Sequence, residues 1–195
     1  MTNFRNHDGV PVYGRNHGET PFSLTFVERW GNDMETTERE ELARLIRGGR
    51  WAALATYGNG VPLASMVAYA CEAGFAGFLL HLSRLSAHTR NLLAFPSASI
   101  VISEPDSPQV RNPQTLARVS IQGEARTLRE DSSGFAEAKA LYEKQIPESS
   151  PLFGFEDFLL FRLIPREARF VAGFAKAYTV DAEELGKAAA ARPGP

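Results

Sequence analysis

The residues best equipped for chemistry stand together in one string, HLSRLSAHTRN, at positions 81–91. Ser83 and Ser86 bring hydroxyls. Arg84, Arg90 and His88 bring cationic or neutral nitrogen donors, and Asn91 an amide. The string begins where an apolar strand pattern ends and runs into a helical one. A helix start offers unpaired backbone N–H groups and the positive end of the peptide dipole. Hydroxyls, arginines and a helix N-terminus together make a site for a dianion such as a phosphate, without any glycine-rich loop. The same residues also allow a plainer reading, in which the serines cap the helix and the arginines are solvated.

The flanking pattern supplies the elements that position this string. Before it, 51–57 is an apolar strand that ends at Gly58-Asn59-Gly60, a tight-turn signal, and 61–70 is its hairpin partner. A turn at 72–74 leads to a third strand, 75–82. Residues 85–94 read as a helix closed by Pro96, with Leu85, Thr89, Leu92 and Leu93 on one side. Residues 97–103 form a fourth strand. In 117–128, Val119, Ile121, Gly123 and Ala125 alternate with Arg118, Ser120, Gln122, Glu124 and Arg126, so one face meets a core and the other faces water, ligand or partner. Strands follow at 157–164, ended by Pro165, and at 168–180. Helices are expected at 37–47, with capping-box spacing from Thr37 to Glu40, at 133–145, and at 181–191. Residues 1–34 have no steady period and read as an arm. The domain then spans 35–180, with a terminal helix and tail at 181–195. Hairpin-spaced strands with a few helices argue for a small antiparallel barrel, not a parallel sheet.

Composition narrows the function classes. The chain has 195 residues, 44% apolar and 23% charged, which is room for one domain with a real core. A net charge of −2 argues against a general nucleic-acid binder. Cys71 is the single cysteine, so no disulfide forms within the chain, and its apolar surroundings suit a small core residue. No stretch has the length of a membrane span, and the polar arm does not read as a secretory signal, so no membrane role and a cytoplasmic location are expected. No dinucleotide fingerprint, P-loop, nucleophile elbow or metal-ligand spacing occurs. Glu38-Arg39-Glu40-Glu41 is explained by dipole complementarity at a helix start. Glu156 and Asp157, adjacent on a strand, point to opposite faces rather than forming an acid/base couple. Tyr69, Trp51 and Phe75 read as core, and His81 as a packed, hydrogen-bonded histidine beside the site.

The order of elements resembles the FMN-binding split barrels related to pyridoxamine 5′-phosphate oxidase, over about residues 37–180. The likeness is carried by PLASMV at 62–67, the strand at 75–82, and LSRLSAHTRNL at 82–92. The last string, with GFAKA at 173–177, is most similar to the haem-utilisation branch of that class. The resemblance implies a mainly β fold with helices: an antiparallel six-stranded split β-barrel. It implies FMN as cofactor and a homodimer with flavin at the interface. Ser65, Met66 and Val67 would line the flavin. Leu82, Ser83 and Arg84 would lie near ring and phosphate, Ser86 and His88 would hold the phosphate close to Asn91, and Gln122 would reach the ring. Gly173, Phe174 and Lys176 would approach from the partner subunit.

Two departures stand out. Ser65 occupies the place of an arginine in the oxidases proper, and His88 the place of a lysine. The oxidase's substrate-side arginine and histidine have no match after Pro165. The expected function is therefore a flavin-dependent oxidoreductase with a small-molecule substrate other than a vitamin B6 phosphate. The alternatives are a non-catalytic FMN carrier or sensor, and a haem-binding or haem-degrading protein. Known haem-degrading members use a late histidine as iron ligand, whereas this chain has only His7, His17, His81 and His88.

Overall fold

The computed structural model describes residues 34–110, 112–173 and 176–191. The expected arm, apart from Met34, lies outside these residues, as does Phe174.

The described strands are β1 (Trp51–Gly58), β2 (Val61–Ala68), β3 (Ala70–Cys71), β4 (Phe78–Ser83), β5 (Ser97–Ser103), β6 (Arg118–Leu128), β7 (Phe158–Val171) and β8 (Ala177–Asp181). They form one sheet in the order β2-β1-β5-β6-β7-β4-β3, with β8 added to β7. Every pairing is antiparallel. The sheet curls until β2 touches β4, which makes the mainly β half-barrel of a split-barrel fold. Two-residue β3 and terminal β8 bring the strand count from the expected six to eight.

The β1–β2 hairpin turns where the sequence places it. Asn59 and Gly60 both have positive φ, 53° and 80°, the backbone a two-residue type I′ turn requires. Along β6 the expected alternation holds, with Val119, Ile121, Gly123 and Ala125 buried. Pro165, by contrast, does not end its strand. β7 runs through it because β7 changes partner there: 158–163 pair with β4 and 167–171 with β8. On the β6 side the register shifts between Gln122 and Gly123 at the same level. A residue with no N–H costs little where the ladder is already interrupted.

Among the described residues four α-helices flank the sheet: α1 (Thr36–Gly48), α2 (Ala87–Ala94), α3 (Phe135–Gln145) and α4 (Ala182–Ala190). A 3₁₀ segment, Pro147–Gly154, extends α3. The main core lies on the concave side of the sheet, with Leu54, Phe78, Leu80, Ile100, Ile121, Leu163 and Phe170 fully or almost fully buried. A smaller core forms on the other side of β4 and β7, where Tyr142 and Ile146 pack on Leu79 and Leu160. The expected Thr37–Glu40 capping box is absent. α1 begins after Glu35 with no side-chain cap, and the Thr37 hydroxyl donates to Glu38 at 3.1 Å. Glu38 is almost fully buried and accepts from Lys176 Nζ at 2.8 Å, so it is more than a dipole complement. Trp51 corrects another expectation. It is 59% exposed, on the convex side of β1, whereas Tyr69 and Phe75 are buried.

Candidate functional site

Strand alternation divides the candidate residues between the two sides of the sheet. On β2, Ser65 and Val67 pair with Leu54 and Ala52 and share their inward face, while Met66 pairs with Ala53 and is exposed. On β4, Leu82 points into the main core, and His81 and Ser83 point to the other side. The 81–91 string therefore feeds two separate places.

The first place lies under α2, which packs on β1 and β2. His88 Nδ1 lies 3.0 Å from Ser65 Oγ. The two residues that depart from the oxidase pattern thus bond to each other across 23 positions of sequence. Burial lowers the His88 pKa from its ordinary value and so disfavours the charged ring. Asn91 fixes the helix above this pair. Its Nδ2 donates to the buried Thr56 Oγ1 at 3.1 Å. Its amide also rests on Gly58, where an added Cβ would come within 2.0 Å of Asn91 Oδ1. Ser86 is the N-cap residue of α2, but its side chain makes no capping bond, so the first-turn N–H groups keep no side-chain partner. On the buried side of this helix are Thr89 and Leu92. Leu85 and Leu93, expected beside them, are exposed.

The second place lies where β4 meets β7. The pairing of Ser83 with Phe158 brings position 157 beside the end of β4. Ser83 Oγ donates to Asp157 Oδ2 at 2.6 Å and accepts from Leu85 N–H at 3.1 Å. Arg84 N–H donates to the Asp157 carbonyl at 2.6 Å. The Arg84 side chain lines a cavity of about 440 Å³ with His81, Phe135, Phe153, Phe155 and Phe158. In its wall, the His81 ring stacks on Phe153 at 3.8 Å and 9° and meets Tyr142 edge-on. His81 Nδ1 is buried without a hydrogen-bond partner. Burial first, then the Lys139 charge, push its pKa down to about 4. So His81 is packed, as the sequence suggests, but not hydrogen-bonded through Nδ1.

The other candidates lie elsewhere. Gln122 lines a more open concavity of about 470 Å³ with Thr56, Tyr57, Ser99, Arg166 and Glu167. Gly173, at φ 84°, is in the turn between β7 and β8. The Lys176 ammonium is held by Glu38 of its own chain, which raises its pKa. Sequence reading missed Asp157 as the partner of Ser83 and the Pro147–Gly154 segment as an aromatic wall. Neither has a local signal, because Asp157 and Ser83 are 74 positions apart. Cys71 is half-buried, its N–H donates to Gln145 at 3.0 Å, and burial pushes the thiol pKa up, as suits a packing residue. Among the described residues, no group of three or more metal-ligating side chains gathers, and no helix is long and apolar enough to cross a membrane.

The sequence profile described as pyridoxamine 5′-phosphate oxidase matches residues 39–172. The chain belongs to that family. It is 31% identical over 142 residues to a protein of Arabidopsis thaliana named non-canonical heme oxygenase HOZ, chloroplastic, covering 71% of this chain and 41% of that protein. It is 30% identical over 110 residues to heme oxygenase HutZ of Vibrio cholerae, covering 56% of this chain and 62% of that one. Its fold matches a solved heme-binding protein from Mycobacterium smegmatis with a TM-score of 0.69 and 26% identity, over 80% of this chain and 62% of that one. The chain thus spans less than two thirds of each of these relatives. The likeness to the haem-utilisation branch agrees with all three.

Proposed function

We propose that this chain binds haem through the split-barrel site under α2, and that oxidative breakdown of the bound haem is its reaction. One observation carries the reading. Where the oxidases proper place an arginine and a lysine, this chain has a hydrogen-bonded serine–histidine pair, Ser65 and His88, in which burial disfavours the charged imidazole. The rest of the phosphate grip is spent elsewhere. Ser83 is bonded to Asp157, Arg90 Nη1 donates to the Leu85 carbonyl at 2.6 Å, and Arg84 lines the separate aromatic cavity. What remains is poorly charged for a dianion and well suited to a ligand that needs a neutral imidazole. The names of the relatives at 30–31% identity support the same choice.

FMN is the second reading, and one feature favours it: the uncapped start of α2, with the Ser86 hydroxyl and first-turn N–H groups. Titration with ferric haem and, separately, with FMN distinguishes the two. A saturable one-to-one Soret band with no flavin uptake supports haem. Quenching of flavin fluorescence with no Soret band overturns it. Decay of the Soret band under reductant and dioxygen, with release of iron, tests the reaction.

The reading includes a homodimer. The convex face of β1, β2 and β5 exposes Met66 and Val101, which flank Ala53 in register, and Trp51 two residues away on β1, and no other described element covers it. A second copy seated there would bury these side chains. Sedimentation equilibrium showing a monomer at micromolar concentration would remove this part.

A further inference from the structure

We propose that the cavity walled by β4, β7 and the Pro147–Gly154 segment is a second ligand site, and that it takes a small, neutral aromatic molecule carrying a hydroxyl group, a phenol. The site is separate from the one under α2. His81 points away from the core face that Ser65 shares, so the inference holds whichever cofactor that face receives. At about 440 Å³ the cavity falls within the range of about 300–1,000 Å³ that small-molecule sites span. Its walls favour a flat ring. Phe135, Phe153, Phe155 and Phe158 line it, and Phe155 is 55% exposed, a ring that a bound aromatic would cover. Charge argues for a neutral ligand. Arg84, Glu130 and Glu156 of the lining are exposed and of both signs, and Arg129 is already paired with Asp131. The buried polar member is His81, and with its pKa pushed down to about 4 the ring is neutral at pH 7. Its Nδ1 has no hydrogen-bond partner, which is costly in an aromatic wall. Either tautomer leaves Nδ1 in need of a partner, an acceptor if it is protonated and a donor if it is not, and a hydroxyl supplies both. Phe153, stacked on His81 at 3.8 Å, shields that nitrogen. It is carried by the 3₁₀ segment rather than by the sheet, so its ring is the part of the wall that tilts to admit the hydroxyl.

The test uses the full chain and three probes of one ring system: 2-naphthol, naphthalene and 2-naphthoate, each titrated calorimetrically at pH 7. The wild type is expected to bind one 2-naphthol, at least tenfold more tightly than naphthalene, which lacks the hydroxyl, or 2-naphthoate, which is charged. Binding of 2-naphthol should also shift the His81 Nδ1 resonance in a nitrogen-15 spectrum. Thr127→Trp, an exposed position in the lining, puts a bulky ring into the cavity and should weaken 2-naphthol binding at least tenfold. His81→Phe keeps a flat ring against Phe153 and removes the nitrogen, so 2-naphthol should fall to the affinity of naphthalene while naphthalene is unaffected. Absence of saturable 2-naphthol binding to the wild type overturns the site. Undiminished binding in Thr127→Trp overturns its location. Naphthalene or 2-naphthoate binding as tightly as 2-naphthol, or an unmoved His81 resonance, overturns the ligand class, and these two readings come from the wild type and do not depend on how a variant folds.

Discussion

Two histidines seven residues apart, His81 and His88, have come to opposite conditions. His81 lies within β4, faces the small second core and is walled in by Phe153, Tyr142 and Phe158. Its Nδ1 is buried and unpaired. His88 sits in the first turn of α2, partly buried, with one nitrogen anchored by Ser65. Burial lowers both pKa values, but only His81 is enclosed by aromatic rings. Histidine at a given place in a motif thus has no fixed role. One ring contributes packing, and the other presents a nitrogen.

Acid should separate the two most strongly. The unfolded chain protonates His81 near its ordinary value of 6.5, while the folded chain does so only near 4. The unfolded state therefore binds more protons in that interval, and stability falls as pH drops through it. By pH 4 the loss attributable to His81 should reach about 3 kcal/mol, read from urea denaturation at stepped pH. His81→Phe removes the titrating group and keeps the stack, so this component should vanish. An unchanged acid profile in that variant would refute the assignment.

Next in size is the cost of truncation at pH 7. His81→Ala opens a hole among packed rings and should destabilise by about 2–3 kcal/mol. His88→Ala loses one part-exposed hydrogen bond and should cost about 0.5–1 kcal/mol. Equal losses in chemical denaturation would erase the proposed contrast. A smaller effect is expected from Asn91→Ala, which leaves the buried Thr56 hydroxyl without this donor. It should cost about 1 kcal/mol and loosen α2, seen as faster amide exchange at 87–94. The smallest belongs to Ser86→Ala. Because Ser86 makes no capping bond, stability should change by less than about 0.5 kcal/mol. A larger loss would reveal a cap formed in solution.

Local features of the fold were legible where the chain itself fixes geometry. Asn59-Gly60 specifies its hairpin because both residues accept positive φ, and the alternation along 118–128 specifies which side of β6 is buried. Pro165 misled for a reason that is not local. Its tolerance depends on β7 exchanging one neighbour for another at that point. Trp51 misled because an aromatic at the start of a strand can face either side, and here it faces outward. The site was half legible. The 81–91 string drew attention to the right strand-to-helix junction. Its division between two sides of the sheet followed from partners 23 and 74 positions away, Ser65 and Asp157, which no spacing rule reaches.

The fourteen-residue β7 has a consequence for how the molecule comes into being. It pairs with β6 along one edge and with β4 and then β8 along the other, so the sheet has no continuity between its halves until β7 is in place. During synthesis, β1, β2, β5 and β6 can assemble as they emerge. β4 must wait for residues 158–171 to leave the ribosome before it gains its long partner. The nascent chain therefore passes through a stage in which two strand edges are open at once, and such edges are the ones other chains capture. Late closure by distant pairing also predicts slow folding, in the range of milliseconds to seconds typical of sheets built from non-local contacts.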